Sequence, residues 1–162
     1  MFDLYSRWEV QRFIGREPRV MADQAEARER LNRMIALGDP ALDQPLIGYW
    51  AIGRKDTGAL VGTLPLKPIP ASGPTEPLEP SGDIEIGWHL HPDAWGNGFA
   101  TEAAAAMLAR AFASGLQRIV AVTNPANVAS QAVCTRIGMT HEGQTELYYN
   151  SVCELFVATA TR

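Results

Sequence analysis

The chain has 162 residues, of which 14 are basic and 18 acidic, so its formal net charge is -4. A domain of this length buries roughly two thirds of its unfolded surface in a single core, and we expect one domain over residues 1–162. The negative charge argues against nucleic-acid binding through neutralised phosphates. No apolar run in the sequence reaches the roughly 18 to 20 residues of a membrane span, and charged residues stand where a signal peptide would be apolar. These features predict a cytoplasmic protein with a small or locally recognised partner.

The two cysteines, Cys134 and Cys153, both lie in apolar sequence. Two thiols supply neither a disulfide framework nor a four-cysteine zinc site, so we expect them to be reduced and packed. His89 and His91 are spaced to share one face of a strand, but neither His141 nor any other residue adds a third ligand at a recognised zinc spacing. The sequence therefore predicts no metal site.

Residues 23–37 carry helix signals at both ends. Asp23 followed by Glu26 fits a capping box, and Gly38 follows the last apolar position. Apolar residues between them recur at helical spacing, which predicts one amphipathic helix.

A hairpin and a proline-rich segment follow this helix. Two β-rich runs, 47–53 and 60–66, flank turn-forming residues at 55–58 and predict an antiparallel hairpin. Residues 65–82 hold six of the eleven prolines. We interpret them as a stiff surface loop that forms neither a helix nor a paired strand and lines a substrate entrance.

The second half of the chain predicts alternating strands and helices. Apolar side chains occupy every second position of residues 83–91. This alternation predicts a strand with one apolar face and one face that carries ionisable side chains. The apolar face carries Ile84, Ile86, Trp88 and Leu90, and the other carries Glu85, Gly87, His89 and His91. The elements after it are a helix over 100–114, a strand over 118–123, a helix over 128–137 and a hairpin over 139–149 and 152–159. This order predicts an α/β (α+β) domain with a mixed sheet.

The strand, glycine turn and helix at 90–107 predict an anion site. Free backbone N–H groups at a positive helix end favour a phosphate. A dinucleotide-binding fingerprint requires glycine at position 101, where this chain has Thr101, and a Walker A loop requires Gly-Lys-Ser/Thr, which is absent. The sequence therefore argues against both kinds of nucleotide-binding site.

The run from Trp95 to Ala103, Trp-Gly-Asn-Gly-Phe-Ala-Thr-Glu-Ala, resembles the Gcn5-related N-acetyltransferase (GNAT) family. Gly98 and Ala100 match the fourth and sixth positions of that family's pyrophosphate loop, Gln/Arg-x-x-Gly-x-Gly/Ala. Trp95 replaces the usual Gln or Arg, and a Trp-Gly start is similar to the branch that acetylates ribosomal-protein amino termini, the RimJ/RimL-like branch. A second run resembles that branch's Asn-x-x-Ser and Lys-x-Gly-Phe, and it comprises Asn127, Ser130, Arg136, Gly138 and Met139.

The resemblance covers about residues 47–159 and implies acetyl-CoA as co-substrate, without a metal. It implies a mostly antiparallel sheet flanked by helices and splayed between 83–91 and 118–123, with the amide near Leu90 polarising the thioester carbonyl. The implied cofactor-binding residues are Trp88, Leu90, Trp95, Gly96, Asn97, Gly98, Phe99, Ala100, Thr101, Asn127, Ser130 and Arg136. The family's first strand has no counterpart, because the chain starts at Phe2 already within the following helix.

The resemblance also implies the catalytic residues. Glu85 lies at the strand position where the family keeps a carboxylate that takes the amine proton, and His89 on the same face is the alternative base. Many relatives have a tyrosine at the position of Cys134 that protonates the leaving thiolate. A buried thiol is a poor acid, so we assign that role to Ser130.

We interpret the chain as an N-acetyltransferase that acts on a primary amine by direct attack. A protein amino terminus, a polyamine, an amino acid and an antibiotic amine all fit, with Glu146, Tyr148 and Tyr149 as acceptor-pocket candidates. A catalytically silent acyl-CoA-binding module is the alternative and would tolerate replacement of Glu85. A nucleotide-binding domain would instead be stabilised by ATP or NAD. The sequence leaves the acceptor and the oligomeric state open, a dimer included.

Overall fold

The computed structural model describes residues 1–38 and 46–160. Its helices are α1 (Phe2–Tyr5), α2 (Trp8–Gln11), α3 (Gln24–Leu37), α4 (Phe99–Ala113) and α5 (Val128–Arg136). Its strands are β1 (Gly48–Gly53), β2 (Leu60–Pro70), β3 (Pro80–Ile86), β4 (His89–Leu90), β5 (Arg118–Thr123), β6 (Thr140–Thr145) and β7 (Cys153–Thr159). None of the helices in these two stretches is long and apolar enough to cross a membrane.

The strands form one sheet in the order β1-β2-β3-β5-β7-β6, and β4 also pairs with β2. The pairing of β3 with β5 is parallel and every other pairing is antiparallel. The predicted α/β class, the mostly antiparallel sheet, the hairpin and the order of the later elements are therefore confirmed. Residues 1–38 contain helices and no strand, and β1 lies at one edge of the sheet.

Helices cover both faces of the sheet. Helices α4 and α5 pack on one face, called here the α4 face, over a core that includes Ile86, Leu90 and Leu108. Helices α1 to α3 pack on the other, called the α1 face, where Tyr5 and Met34 are buried. A third apolar cluster, Ile69, Val120, Tyr148, Leu155 and Val157, lies farther along the α1 face. Alternation along the strands thus supplies two packing surfaces from one sheet.

For the proline-rich segment the sequence prediction was wrong. Residues 65–70 belong to β2 and pair with β1 and β3, so the loop is confined to 71–79. In a strand, the nitrogen and the carbonyl of one residue point to the same neighbouring strand. The nitrogens of Pro68 and Pro70 point to the β1 side, beyond Gly48 where β1 begins. No ladder donor is needed there, which is the condition under which a strand tolerates proline.

A third proline explains why residues 83–91 form two strands instead of the single strand predicted. Strands β3 and β4 share one register against β2, and the ladder is interrupted at residues 87–88. The Gly87 amide donates to the Pro65 carbonyl at 3.0 Å. The reciprocal bond cannot form because proline has no N–H. The predicted alternation itself holds, since Ile86 packs in the core of the α4 face while Glu85 lies on the α1 face.

Candidate active site

Strands β4 and β5 diverge and open a groove of about 900 Å³ that crosses the sheet. The parallel pairing of β3 with β5 is recorded only at Glu85 and Val120, and beyond that point the strands separate. Gly87 and His91 direct their backbone amides to β2. The amides of Trp88 and Leu90, which alternate with them, therefore face the gap towards β5. The predicted splay lies where the resemblance placed it.

The amino-terminal end of α4 supplies backbone donors to one end of the groove. Gly98 is the N-cap residue, has φ +78°, and has no side chain to cap the helix. A Cβ atom at this position would meet no atom within 4 Å, so the left-handed backbone is what requires glycine. The first-turn amides after it have no partner within the helix and carry the positive end of the helix dipole. This geometry suits an anion.

Two side chains brace the turn before α4. The Trp95 indole Nε1 donates to the Leu90 carbonyl at 2.9 Å and so fixes the turn to β4. Asn97 Nδ2 donates to the carbonyls of Ala94 and Trp95, at 3.3 and 2.9 Å. Asn97 is the one predicted cofactor-binding residue that does not line the groove. Its side chain holds the loop together instead.

The amino-terminal end of α5 forms the facing wall. Asn127 Oδ1 accepts a hydrogen bond from the Ser130 amide at 3.2 Å, so Asn127 caps the helix, and both residues line the groove together with Arg136. Thr123, at the end of β5, also lines the groove, and its buried Oγ1 has no hydrogen-bond partner among the described residues. Sequence reasoning missed Thr123, although a hydroxyl at the end of the apolar run 119–122 was a usable signal.

Glu85 lies on the α1 face, nine per cent exposed, and does not line the groove. Its Oε1 pairs with Lys67 Nζ at 2.5 Å and accepts a hydrogen bond from Tyr149 Oη. Lys67 Nζ also donates to Tyr149 Oη at 2.7 Å. Burial and the adjacent Glu85 charge raise the pKa of Tyr149 well above its usual value, so this phenol stays protonated and donates. The carboxylate is thus held by a cation and a hydroxyl that sequence reasoning did not connect to it.

Asp83 repeats this arrangement two residues earlier on β3. Tyr148 Oη donates to Asp83 Oδ2 at 2.6 Å, and the Arg118 guanidinium pairs with Oδ1. Burial alone would raise the pKa of Asp83, but the Tyr148 hydrogen bond and the Arg118 charge outweigh it and lower the pKa. Two consecutive tyrosines of the β6–β7 loop therefore fasten that loop to two carboxylates of β3.

His89 lines the groove from the α1 face. Its Nδ1 lies 2.8 Å from Tyr5 Oη, and the same hydroxyl lies 2.8 Å from Thr63 Oγ1. Burial, together with the charges of Arg30 and Lys67, lowers the pKa of His89 to about 3. The imidazole is therefore neutral at physiological pH, and it is too weak a base to take a proton from an ammonium group.

The amino-terminal segment forms the wall of the groove on the α1 face. Val10, Phe13 and Ile14 line it with apolar side chains, and Glu9 and Arg12 add one charge of each sign. Sequence reasoning did not assign these residues to the site. Their helical spacing of three and four residues was the available signal.

Both cysteines, Cys134 and Cys153, are buried and carry free thiols. Cys134 has no exposed surface and belongs to the core of the α4 face. Burial raises its pKa to about 12. This supports packing as its role. Within 1–38 and 46–160, no three His, Cys, Asp or Glu side chains converge in a way that could hold a metal ion.

Known proteins resemble the chain over most of its length. The family model for the acetyltransferase (GNAT) domain matches residues 1–140. The uncharacterized N-acetyltransferase YoaA of Bacillus subtilis is 31% identical over 150 residues, covering 91% of this chain and 76% of that protein. The FsC-acetyl coenzyme A-N(2)-transacetylase of Aspergillus fumigatus is 28% identical over 154 residues, covering 85% of this chain and 63% of that protein.

A solved structure shares the fold. RimL, a ribosomal L7/L12 α-N-protein acetyltransferase solved in complex with coenzyme A, superposes with a TM-score of 0.74 at 20% identity, over 98% of this chain and 84% of that one. At this identity the likeness concerns the fold.

Proposed function

Because this chain belongs to the GNAT acetyltransferase family, we propose that it transfers the acetyl group of acetyl-CoA to a primary amine in the groove between β4 and β5. The observation that carries the proposal is the groove itself. It crosses the sheet from a helix end whose free amides suit an anion to an apolar pocket on the α1 face. A cofactor with a pyrophosphate at one end and a thioester at the other fits such a passage.

The α4 face would hold the cofactor. The amides that follow Gly98 suit the pyrophosphate, and Arg136 adds a positive charge at the groove. The amides of Trp88 and Leu90 face the gap and suit the pantetheine arm and the thioester carbonyl oxygen, whose negative charge grows as the amine attacks. The hydroxyl of Thr123, which has no partner within 1–38 and 46–160, would bond to the same arm.

An ammonium acceptor loses two protons in the reaction: one must leave before the nitrogen can attack, and the second leaves as the amide forms and passes to solvent. The departing thiolate takes up one proton. The amine nitrogen attacks the thioester carbonyl carbon, the C–S bond breaks, and the thiolate leaves. We assign proton removal from the amine to Glu85, with water carrying the proton because Glu85 lies outside the groove lining while its neighbour Gly87 lies within it. Ser130, at the facing wall, donates its hydroxyl proton to the leaving sulfur and is reprotonated by solvent.

The acceptor we propose is the α-amine of a protein amino terminus. The run from Trp95 to Ala103 and the second motif at 127–139 resemble the RimJ/RimL-like branch, and the fold of RimL superposes on this chain. The corresponding location would be the cytoplasm, with no direct contact to nucleic acid or membrane.

One observation favours a second candidate, an acyl-CoA-binding module without catalysis. The negative charge of Glu85 is already balanced by Lys67 at 2.5 Å, and Tyr149 donates to the same carboxylate oxygen. In an active enzyme the ammonium of the acceptor would have to compete with Lys67 for this carboxylate.

A CoA-release assay tests the proposal. Acetyl-CoA is incubated with the protein and a panel of peptide amino termini, polyamines and amino acids, and free thiol is measured over time. We expect thiol release that depends on one class of acceptor, together with thermal stabilisation by acetyl-CoA and none by ATP or NAD. Stabilisation by acetyl-CoA without release for any acceptor would favour the silent module, and stabilisation by ATP alone would overturn both.

A further inference from the structure

A chain of three side chains connects the first helix to the groove. Tyr5 is fully buried, and its hydroxyl lies 2.8 Å from both Thr63 Oγ1 and His89 Nδ1. Thr63 is eight per cent exposed. The rings of Tyr5 and His89 meet edge to face, with centroids 5.6 Å apart. The acetyl-transfer steps proposed above use none of these groups.

The hydroxyl protons of Thr63 and Tyr5 decide which tautomer His89 adopts. Each hydroxyl has one proton to donate, and a buried donor without an acceptor costs about 1 to 3 kcal/mol. If His89 donated from Nδ1, either the Thr63 or the Tyr5 hydroxyl proton would find no acceptor among the described residues. If Thr63 donates to Tyr5 and Tyr5 donates to His89 Nδ1, both hydroxyl protons are bonded. The satisfied arrangement leaves the proton of the neutral imidazole on Nε2.

The remaining ring nitrogen is the polar atom that His89 offers to the groove. Tyr5 occupies Nδ1, and no residue within 1–38 or 46–160 bonds to Nε2. His89 is only partly buried, and its ring lies at the groove. Since His89 lines the groove on the α1 face, the Nε2–H group is available to a molecule bound there.

We propose that His89 is a neutral hydrogen-bond donor that holds, through Nε2–H, a carbonyl oxygen next to the reacting amine of the acceptor, and that Tyr5 and Thr63 are positioning residues that fix its tautomer. The inference rests on the acetyl transfer proposed above. It narrows the acceptor to amines with a carbonyl on the neighbouring carbon, such as peptide amino termini and amino acids. Alkylamines and polyamines lack that oxygen.

The location of His89 favours the acceptor over the thioester as its partner. Its side chain shares the α1 face with the apolar wall of Val10, Phe13 and Ile14. The helix ends proposed to hold the cofactor lie on the opposite face. An apolar pocket with one neutral donor suits an uncharged carbonyl oxygen.

Nitrogen-15 NMR tests the tautomer without any acetylation. Long-range proton–nitrogen spectra of the whole protein distinguish a histidine protonated at Nε2 from one protonated at Nδ1. We expect the His89 signals of the Nε2–H form in the wild type and a mixture of tautomers in Tyr5→Phe, which keeps the ring and removes the relayed proton. A wild-type spectrum of the Nδ1–H form would overturn the proposal.

Kinetics with matched acceptors test the contact. His89→Gln retains an N–H donor near the position of Nε2, whereas His89→Phe keeps a ring and removes the donor. For a peptide amino terminus we expect His89→Phe to raise KM about tenfold and His89→Gln to restore most of the loss. For an alkylamine, which has no such carbonyl, the two variants should have the same KM as each other, and the KM for acetyl-CoA should not change.

Two further results would separate this inference from the proposed function. Equal losses on the peptide and the alkylamine, or no recovery in His89→Gln, would overturn the carbonyl contact while leaving acetyl transfer intact. Failure to acetylate any amine would overturn the proposed function and with it the carbonyl contact, and the NMR result would still decide the tautomer. His91→Gln, two residues along the chain, just past the end of β4 and outside the groove lining, is the matched control and should retain the wild-type KM.

Discussion

The two ends of the groove are built in different ways. At the α4-face end, the turn at Gly98 and the cap at Asn127 are made by residues a few positions apart, such as the Asn127 and Ser130 pair. At the α1-face end, Tyr5 bonds to a histidine 84 residues away and Tyr149 to a carboxylate 64 residues away. The first end is a local structure that a short motif encodes. The second depends on how distant segments meet in the fold.

The largest effect is expected from Glu85→Gln, which keeps the shape of this side chain and removes its negative charge. If Glu85 takes the amine proton, kcat/KM should fall by about 10² to 10⁴ at neutral pH. Part of the loss should recover as pH rises, because the free amine becomes abundant. Initial rates between about pH 6 and pH 9 measure this.

Asp83→Asn is the matched control for this variant. Asp83 is also held by a tyrosine and a cation, on the same strand and the same face, so its loss disturbs the β6–β7 loop in a comparable way. It should leave kcat/KM close to the wild-type value. A Glu85→Gln enzyme with wild-type kcat/KM across the pH range would show that this carboxylate is structural.

Gly98→Val tests the local end of the groove. Valine at φ +78° is strained, and the changed turn should abolish the thermal stabilisation by acetyl-CoA, worth about 2.7 kcal/mol at a hundredfold excess over Kd. Gly115→Val, at φ +100° and at the other end of α4, imposes comparable strain away from the groove. It should lower the melting temperature and keep the acetyl-CoA shift. Equal shifts in both variants would place the cofactor elsewhere.

Ser130→Ala and Cys134→Ala compare a residue at the groove with one behind it. Ser130→Ala should lower kcat about tenfold with little change in acetyl-CoA affinity, since the hydroxyl acts as the thiolate leaves. Cys134→Ala removes a fully buried side chain and should cost about 1 kcal/mol of unfolding free energy, with a near-normal rate. The opposite pattern, an inactive Cys134 variant beside a normal Ser130 variant, would reassign the proton donor.

The smallest effect concerns acid stability. Because Tyr148 and Arg118 lower the pKa of Asp83 below its ordinary value of 3.8, the carboxylate stabilises the fold at neutral pH, and this contribution is lost as pH falls through the lowered value. Urea unfolding between about pH 7 and pH 3 should therefore show a shallower acid decline in Asp83→Asn than in the wild type. An unchanged slope would show that the pairing at Asp83 contributes nothing to folding.

The sequence was informative wherever a signal is local. The predicted N-cap at Asp23 is present, with its Oδ1 accepting from the Glu26 amide at 2.9 Å, while the Glu26 carboxylate accepts from the amide of Ala22 instead of that of Asp23. Strand β5 has the predicted bounds. The proline-rich segment was misread because composition does not say to which side each proline nitrogen points. Pro68 is tolerated because β1 begins at Gly48, so that no residue of the described strands needs a hydrogen bond from the Pro68 nitrogen.

The side-chain networks of the α1-face end were not predictable for another reason. Nothing in the composition of α1 connects Tyr5 to Thr63 or His89, because the contact depends on how α1 packs on the sheet. Glu85 was identified as a candidate, but its pairing with Lys67 requires the register of β2 against β3. The resemblance to a family identified Glu85 and His89 as candidate residues. The side chains that contact them and set their charge and tautomer are known only from the tertiary structure.

The divergence of β4 and β5 gives the sheet two edges in its interior, in addition to those of β1 and β6 at its periphery. Backbone groups on an open edge are a template for pairing with another chain. The amide protons of Trp88 and Leu90 face this edge, whereas those of Gly87 and His91 are bonded to β2. Hydrogen exchange in the free protein should therefore alternate along residues 87–91, fast at even positions and slow at odd ones. A ligand in the gap that bonds to the even amides, as a substitute strand, should slow their exchange and lower the tendency of the protein to aggregate.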